Sequence, residues 1–135
     1  MATRNHEFLV VDDEPDMCWT LEHLLKKNGF RSQRALNGKE ALTLMEPGRF
    51  RMVFLDAKLP DMEGLDLARY LREIDPRVRM VMVSGYFYGD DEEIQKALAK
   101  GLICGFIGKP FVHNEVLKAI ENMRPSRPRR LRSTE

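Results

Sequence analysis

The sequence predicts an open, doubly wound α/β domain: a parallel sheet of five strands with helices on both faces. Three observations predict it. Short apolar runs alternate five times with longer segments of helical period. The first, third and fourth runs (8–11, 52–55 and 78–83) are close to continuously apolar, as in strands whose two faces are both covered. Finally, 135 residues at 43% hydrophobic and 32% charged suit one globular domain with a sizeable core, and no run nears the ~20 apolar residues of a membrane span.

The elements follow in order. FLVV (8–11) forms a strand that ends at Asp12-Asp13. Pro15 then suits the first turn of a helix, whose stripe is Met17, Leu21, Leu24 and Leu25, and Asn28-Gly29 closes it. Residues 30–36 form a weak strand carrying Arg, Ser and Gln, expected at a sheet edge. A short helix spans 38–45, stopped by Pro47-Gly48. The third strand, 52–55, runs into Asp56, and the third helix, 64–74, turns Leu65, Leu67, Ala68 and Leu71 inward before Pro76. Gly64 is expected to permit a tight turn there.

Residues 78–83 form the fourth strand. Residues 90–100 read as a helix with acidic side chains in its first turn, where the helix dipole favours them. The fifth strand covers 104–107 and the last helix 112–123, with Val116, Leu117 and Ile120 inward. The domain therefore occupies 1–123. Residues 124–135, RPSRPRRLRSTE, hold five Arg against one Glu and have no apolar period, so they read as a disordered basic tail or the start of a linker. The first 123 residues carry 17 Lys and Arg against 20 Asp and Glu, a mildly acidic body. Five charges without a fold support only weak, salt-sensitive nucleic-acid binding, so none is expected from this domain. The start of the chain lacks the long apolar segment of a secretory signal, and Cys18 and Cys104 are expected as free buried thiols; both point to the cytoplasm. His6, His23 and His113 lack ligand spacing.

In such a sheet the chemistry sits beyond the carboxyl ends of the strands. Strand one delivers Asp12 and Asp13 there, strand three Asp56, strand four Ser84 and strand five Lys109. Any one of these alone reads as a cap or turn residue. Three carboxylates brought together repel one another unless a cation sits among them. Mg²⁺ suits such a set of hard oxygen donors.

The set Asp12-Asp13, Asp56-x-x-x-Pro60, Gly64, Ser84 and Lys109-Pro110 resembles the receiver domain of two-component response regulators, over roughly 7–123, with the 84–109 stretch somewhat long. The resemblance implies a flavodoxin-like sheet of order 2-1-3-4-5. It also implies that Asp56 is the phosphoacceptor, fed by a sensor histidine kinase or a phosphotransfer protein. Asp12, Asp13, Asp56 and the main-chain carbonyl of Lys58 would hold Mg²⁺ (or Mn²⁺). Lys109 and Ser84 would meet phosphoryl oxygens, and Lys109-Pro110 is a candidate cis peptide. Ser84 and Phe106 would form the switch, although Phe106 also reads as a plain strand aromatic.

The switch would reshape the face of the fourth helix, fifth strand and fifth helix, a surface for an effector, a missing output domain or a homodimer. Lys58 and Tyr86, each two residues past a site residue, would shield the phosphoryl group from water; as solvent-facing loop residues they would do nothing. YFYGDDEE (86–93) reads as packing on its own loop or as a docking surface. No turnover enzyme is expected. An aspartate-nucleophile phosphatase would need Asp where Lys58 stands. A docking domain independent of phosphorylation would not need the full acidic, hydroxyl and lysine set. An N-terminal module excised from a larger DNA-binding regulator is the alternative within signalling.

Overall fold

A computed structural model describes residues 7–85, 91–110 and 113–123. Tyr86 and the rest of 86–90, His6, position 112 and the basic tail at 124–135 lie outside the described residues. The elements run β1 (Phe8–Val11), α1 (Pro15–Lys27), β2 (Ser32–Ala35), α2 (Gly38–Leu44), β3 (Met52–Asp56), α3 (Gly64–Ile74), β4 (Arg79–Ser84), α4 (Glu92–Ala99), β5 (Gly105–Gly108) and α5 (His113–Met123). All four strand pairings are parallel, in the order β2-β1-β3-β4-β5. The doubly wound prediction and the edge position of β2 both hold. No helix among the described residues is long and apolar enough to cross a membrane.

Alternation along each strand divides the core. Leu9, Val11, Val53, Leu55, Met80 and Met82 face α2, α3 and α4, where Leu67, Leu71 and Ile94 are fully buried against them. Phe8, Val10, Met52, Phe54, Val81 and Val83 face the other way, onto Leu21 and Leu25 of α1 and Val116 and Ile120 of α5. Each such side chain stabilises by about 1.5–3 kcal/mol through removal from water. β1 and β3 therefore lie under both layers, which makes their runs apolar throughout and carries their ends to one place.

Several boundaries differ from expectation for identifiable reasons. Cys18, not Met17, takes the inward position at the start of α1. α4 begins at Glu92 because Asp91 is its N-cap, accepting from the Glu93 and Ile94 amides at 2.9 and 3.4 Å. Phe30 lies outside β2 and packs edge-on against Phe8 at 5.1 Å. β5 starts one residue late, at Gly105, although the Cys104 amide already donates to the Met80 carbonyl of β4 at 2.8 Å. Cys104 is free but exposed, against the expectation of burial, because it precedes an edge strand; Cys18 is free and buried as expected.

At the amino ends of the strands, Arg72 of α3 ties three segments together. Its guanidinium donates to the carbonyls of Pro76 at 3.1 Å, Val78, Gly101 at 3.2 Å and Leu102 at 2.8 Å. Beside it the buried Asp75 accepts from the Gly48 and Arg77 amides, both at 3.0 Å.

Candidate functional site

β1 and β3 are in register, Val11 opposite Leu55, so the residues after them emerge side by side. Asp12, Asp13 and Asp56 accordingly place carboxylate oxygens within 4.8 Å of one another. Asp12 and Asp56 are buried and Asp13 is exposed. Ser84 is fully buried at the end of β4, and its carbonyl accepts from the Lys109 amide at 3.0 Å. The Lys109-Pro110 peptide is cis, as anticipated.

Lys109 joins the acids. Its Nζ donates to Asp12 Oδ2 at 2.8 Å and lies 3.4 Å from Asp56 Oδ1 and 3.5 Å from Glu14 Oε1. The other Asp12 oxygen accepts from the Glu14 amide at 2.9 Å, which shapes the β1–α1 turn. Burial pulls the Lys109 ammonium down, but the hydrogen bond to Asp12 and the pull of both aspartates outweigh it and leave the group above the ordinary lysine value. Asp56 is pushed up to about 6, chiefly by burial and further by Asp12, against the opposing attraction of Lys109. Burial also pushes the Cys18 thiol behind the site up to about 12, which makes it inert.

The donor chemistry fits a hard divalent cation. Asp56 Oδ1 is buried and receives no well-aligned hydrogen bond, only the ammonium at 3.4 Å. Lys109 is shared by Asp12, Glu14 and Asp56, and Asp13 stands beside them, so acids outnumber the ammonium that reaches them. An open pocket of about 470 Å³ adjoins the cluster, lined by Asp13, Glu14, Asp56, Lys58, Gly85 and Lys109.

Not every expected residue points into this pocket in the same way. Lys58 reaches Glu63, with Nζ 3.1 Å from its carboxylate, and the two residues form an isolated antiparallel bridge. Phe106 is half-buried on edge strand β5 and packs toward the α2–α3–α4 layer. Gly64 serves a different end from the one expected: its φ is not positive, but a Cβ there would collide with the Asp56 carbonyl oxygen and lie 2.9 Å from Ala57 Cα. Its amide donates to the Ala57 carbonyl at 2.7 Å, so α3 starts flush against the end of β3. Glu14 went unread in the sequence, although a third consecutive acid after β1 was a signal for it.

Comparison with known proteins identifies the family of the chain. The family description "response regulator receiver domain" fits residues 8–121. Sporulation initiation phosphotransferase F of Bacillus subtilis is 30% identical over 121 residues, 90% of this chain and 95% of that protein. Chemotaxis protein CheY of the same organism is 32% identical over 116 residues, 85% of this chain and 94% of that protein. Longer relatives also match: this chain spans 27% of the nitrogen assimilation regulatory protein NtrX of Azorhizobium caulinodans, at 31% identity over 88% of its own length. The solved structure of response regulator TrrA from Thermotoga maritima, in complex with Mg²⁺-BeF, superposes with a TM-score of 0.74 at 25% identity, covering 88% of this chain and 99% of that one.

Proposed function

This chain belongs to the response regulator receiver domain family and is a phosphoacceptor module of two-component signalling, and on that premise we propose that Asp56 is the acceptor. The observation that carries the proposal is the meeting of Asp12, Asp13, Asp56 and Lys109 from three separate strands around one buried, poorly bonded Asp56 oxygen. An Asp56 oxygen attacks the phosphorus of a phosphohistidine on a sensor kinase or phosphotransfer protein. An O–P bond forms as the P–N bond breaks, and the imidazole nitrogen keeps the electron pair and takes a proton from solvent. Water later cleaves the acyl phosphate and restores the carboxylate.

Asp12, Asp13, Asp56 and the Lys58 carbonyl would hold Mg²⁺ (or Mn²⁺), which when bound offsets negative charge on the transferring phosphoryl group. Lys109 already stands beside Asp56 Oδ1 and passes to a phosphoryl oxygen once that oxygen is esterified. Ser84 takes another phosphoryl oxygen and draws its loop inward. Phe106, half-buried at the edge, follows and changes the α4–β5–α5 face, where an effector, an attached output domain or a second copy docks. Lys58 lines the pocket beside Asp56, which supports the reading that it, with Tyr86, slows water attack. The module is cytoplasmic and turns over no substrate of its own.

The test is incubation with Mg²⁺ and acetyl phosphate followed by intact mass measurement. The expected result is one added phosphoryl group, absent in Asp56→Asn. A folded parent that gains none overturns the reading.

A further inference from the structure

We propose that Asp61 is a positioning residue for metal capture, clamping the loop after β3 onto α2 so that the Lys58 carbonyl stays in register with the three aspartates. The inference rests on the function proposed above and adds a residue to it. Asp61 is not one of the converging carboxylates. Its oxygens turn instead to another element: Oδ1 accepts from the Gly38 amide at 2.9 Å and Oδ2 from the Lys39 amide at 3.0 Å.

Those two amides belong to the first turn of α2, where a helix leaves its N–H groups without internal partners. The helix's own cap, Asn37, accepts from the Glu40 amide at 2.8 Å, and Glu40 answers by accepting from the Leu36 amide at 2.8 Å. Local capping thus serves Glu40 and Leu36 but not Gly38 and Lys39, and a distant carboxylate takes both of these. Contact below the clamp fits the same purpose. Met62 seats against Gly38, where any Cβ would lie 2.5 Å from the Met62 sulfur.

The clamped segment is short and stiff. The Leu59 amide donates to the Met62 carbonyl at 3.1 Å, the Gly64 amide to the Ala57 carbonyl at 2.7 Å, and Lys58 bridges Glu63. A loop closed in this way moves as a unit, so fixing Asp61 at its far end fixes Lys58 at its near end. The expected effect resembles loss of a partner that orients a metal ligand, which typically lowers affinity 10–100-fold.

Calorimetric titration of Mg²⁺ into the full unphosphorylated chain tests this, using the parent, Asp61→Ala, Asp61→Asn and Asn37→Ala. Asp61→Ala is expected to raise the Mg²⁺ Kd roughly tenfold, and Asp61→Asn, which keeps one acceptor oxygen, to raise it less. Asn37→Ala removes the cap of the same helix but leaves the loop bonds; it should lower the melting temperature and leave Kd within about twofold. Parent-like affinity in Asp61→Ala, or an equal loss in Asn37→Ala, overturns the proposal. Should Asp61→Ala fail to fold, parent-like affinity in Asp61→Asn overturns it. A parent that binds no Mg²⁺ refutes the metal site itself and this proposal with it, a failure distinct from an unaffected Asp61→Ala.

Discussion

Asp56 sits where burial and a neighbouring acid make its charge costly, and Lys109 offsets only part of that cost. Its carboxyl is raised to about 6, so between roughly pH 4 and pH 6 the folded chain holds a proton that the unfolded chain has released. The stability contributed by the neutral form is complete below about pH 4 and is lost as pH rises through about 6. Asp56→Asn keeps that neutral form at every pH. In EDTA at pH 7 the variant is expected to be more stable than the parent by roughly 1–3 kcal/mol, and near pH 4 the difference should vanish. Urea unfolding at both pH values checks it. Asp12, Asp13, Asp56, Ser84 and Lys109 were legible in the sequence because each ends a strand, and strand ends are readable from apolar runs. Asp61 was not, because its partners lie 23 and 22 residues away and only the fold brings them near. Cys104 misled because burial at an edge strand depends on what lies beyond it.

The turn that joins β3 to α3 shows why an element matters as a unit. Gly64 is required by crowding: side-chain atoms there would occupy the space of the Asp56 carbonyl and approach Ala57. Gly64→Ala must push α3 away from the acceptor strand, at a cost of about 2–3 kcal/mol in urea unfolding. Phosphoryl uptake from acetyl phosphate should fall with it, because the displaced backbone carries Asp56. The sequence marked this glycine as a turn residue; the close approach depends on a helix packing flush against a strand, which no local pattern records. Element order and type were readable throughout, since the runs of β1, β3 and β4 and the stripes of α1, α3 and α5 are strong signals. Boundaries moved by a residue or two, as at Asp91, where one cap bond decided the start of α4.

Across the whole molecule, two cores on opposite faces of one sheet supply the rigidity that lets like charges be held together at its rim. A cation that binds only the folded chain adds its binding free energy to stability. Mg²⁺ at a hundredfold excess over its Kd should stabilise the parent by about 2.7 kcal/mol, lost on chelation and absent in Asp13→Ala. Denaturant midpoints with and without the ion measure this. The sheet order and the covering of both faces were legible from continuous apolar strands, but the bracing at the far rim was not. There Arg72 holds the exit of α4, at Gly101 and Leu102, to the entry of β4, while the opposite end of α4 begins beside the reactive rim. Through one guanidinium the foot of this helix is thus tied to the start of the neighbouring strand.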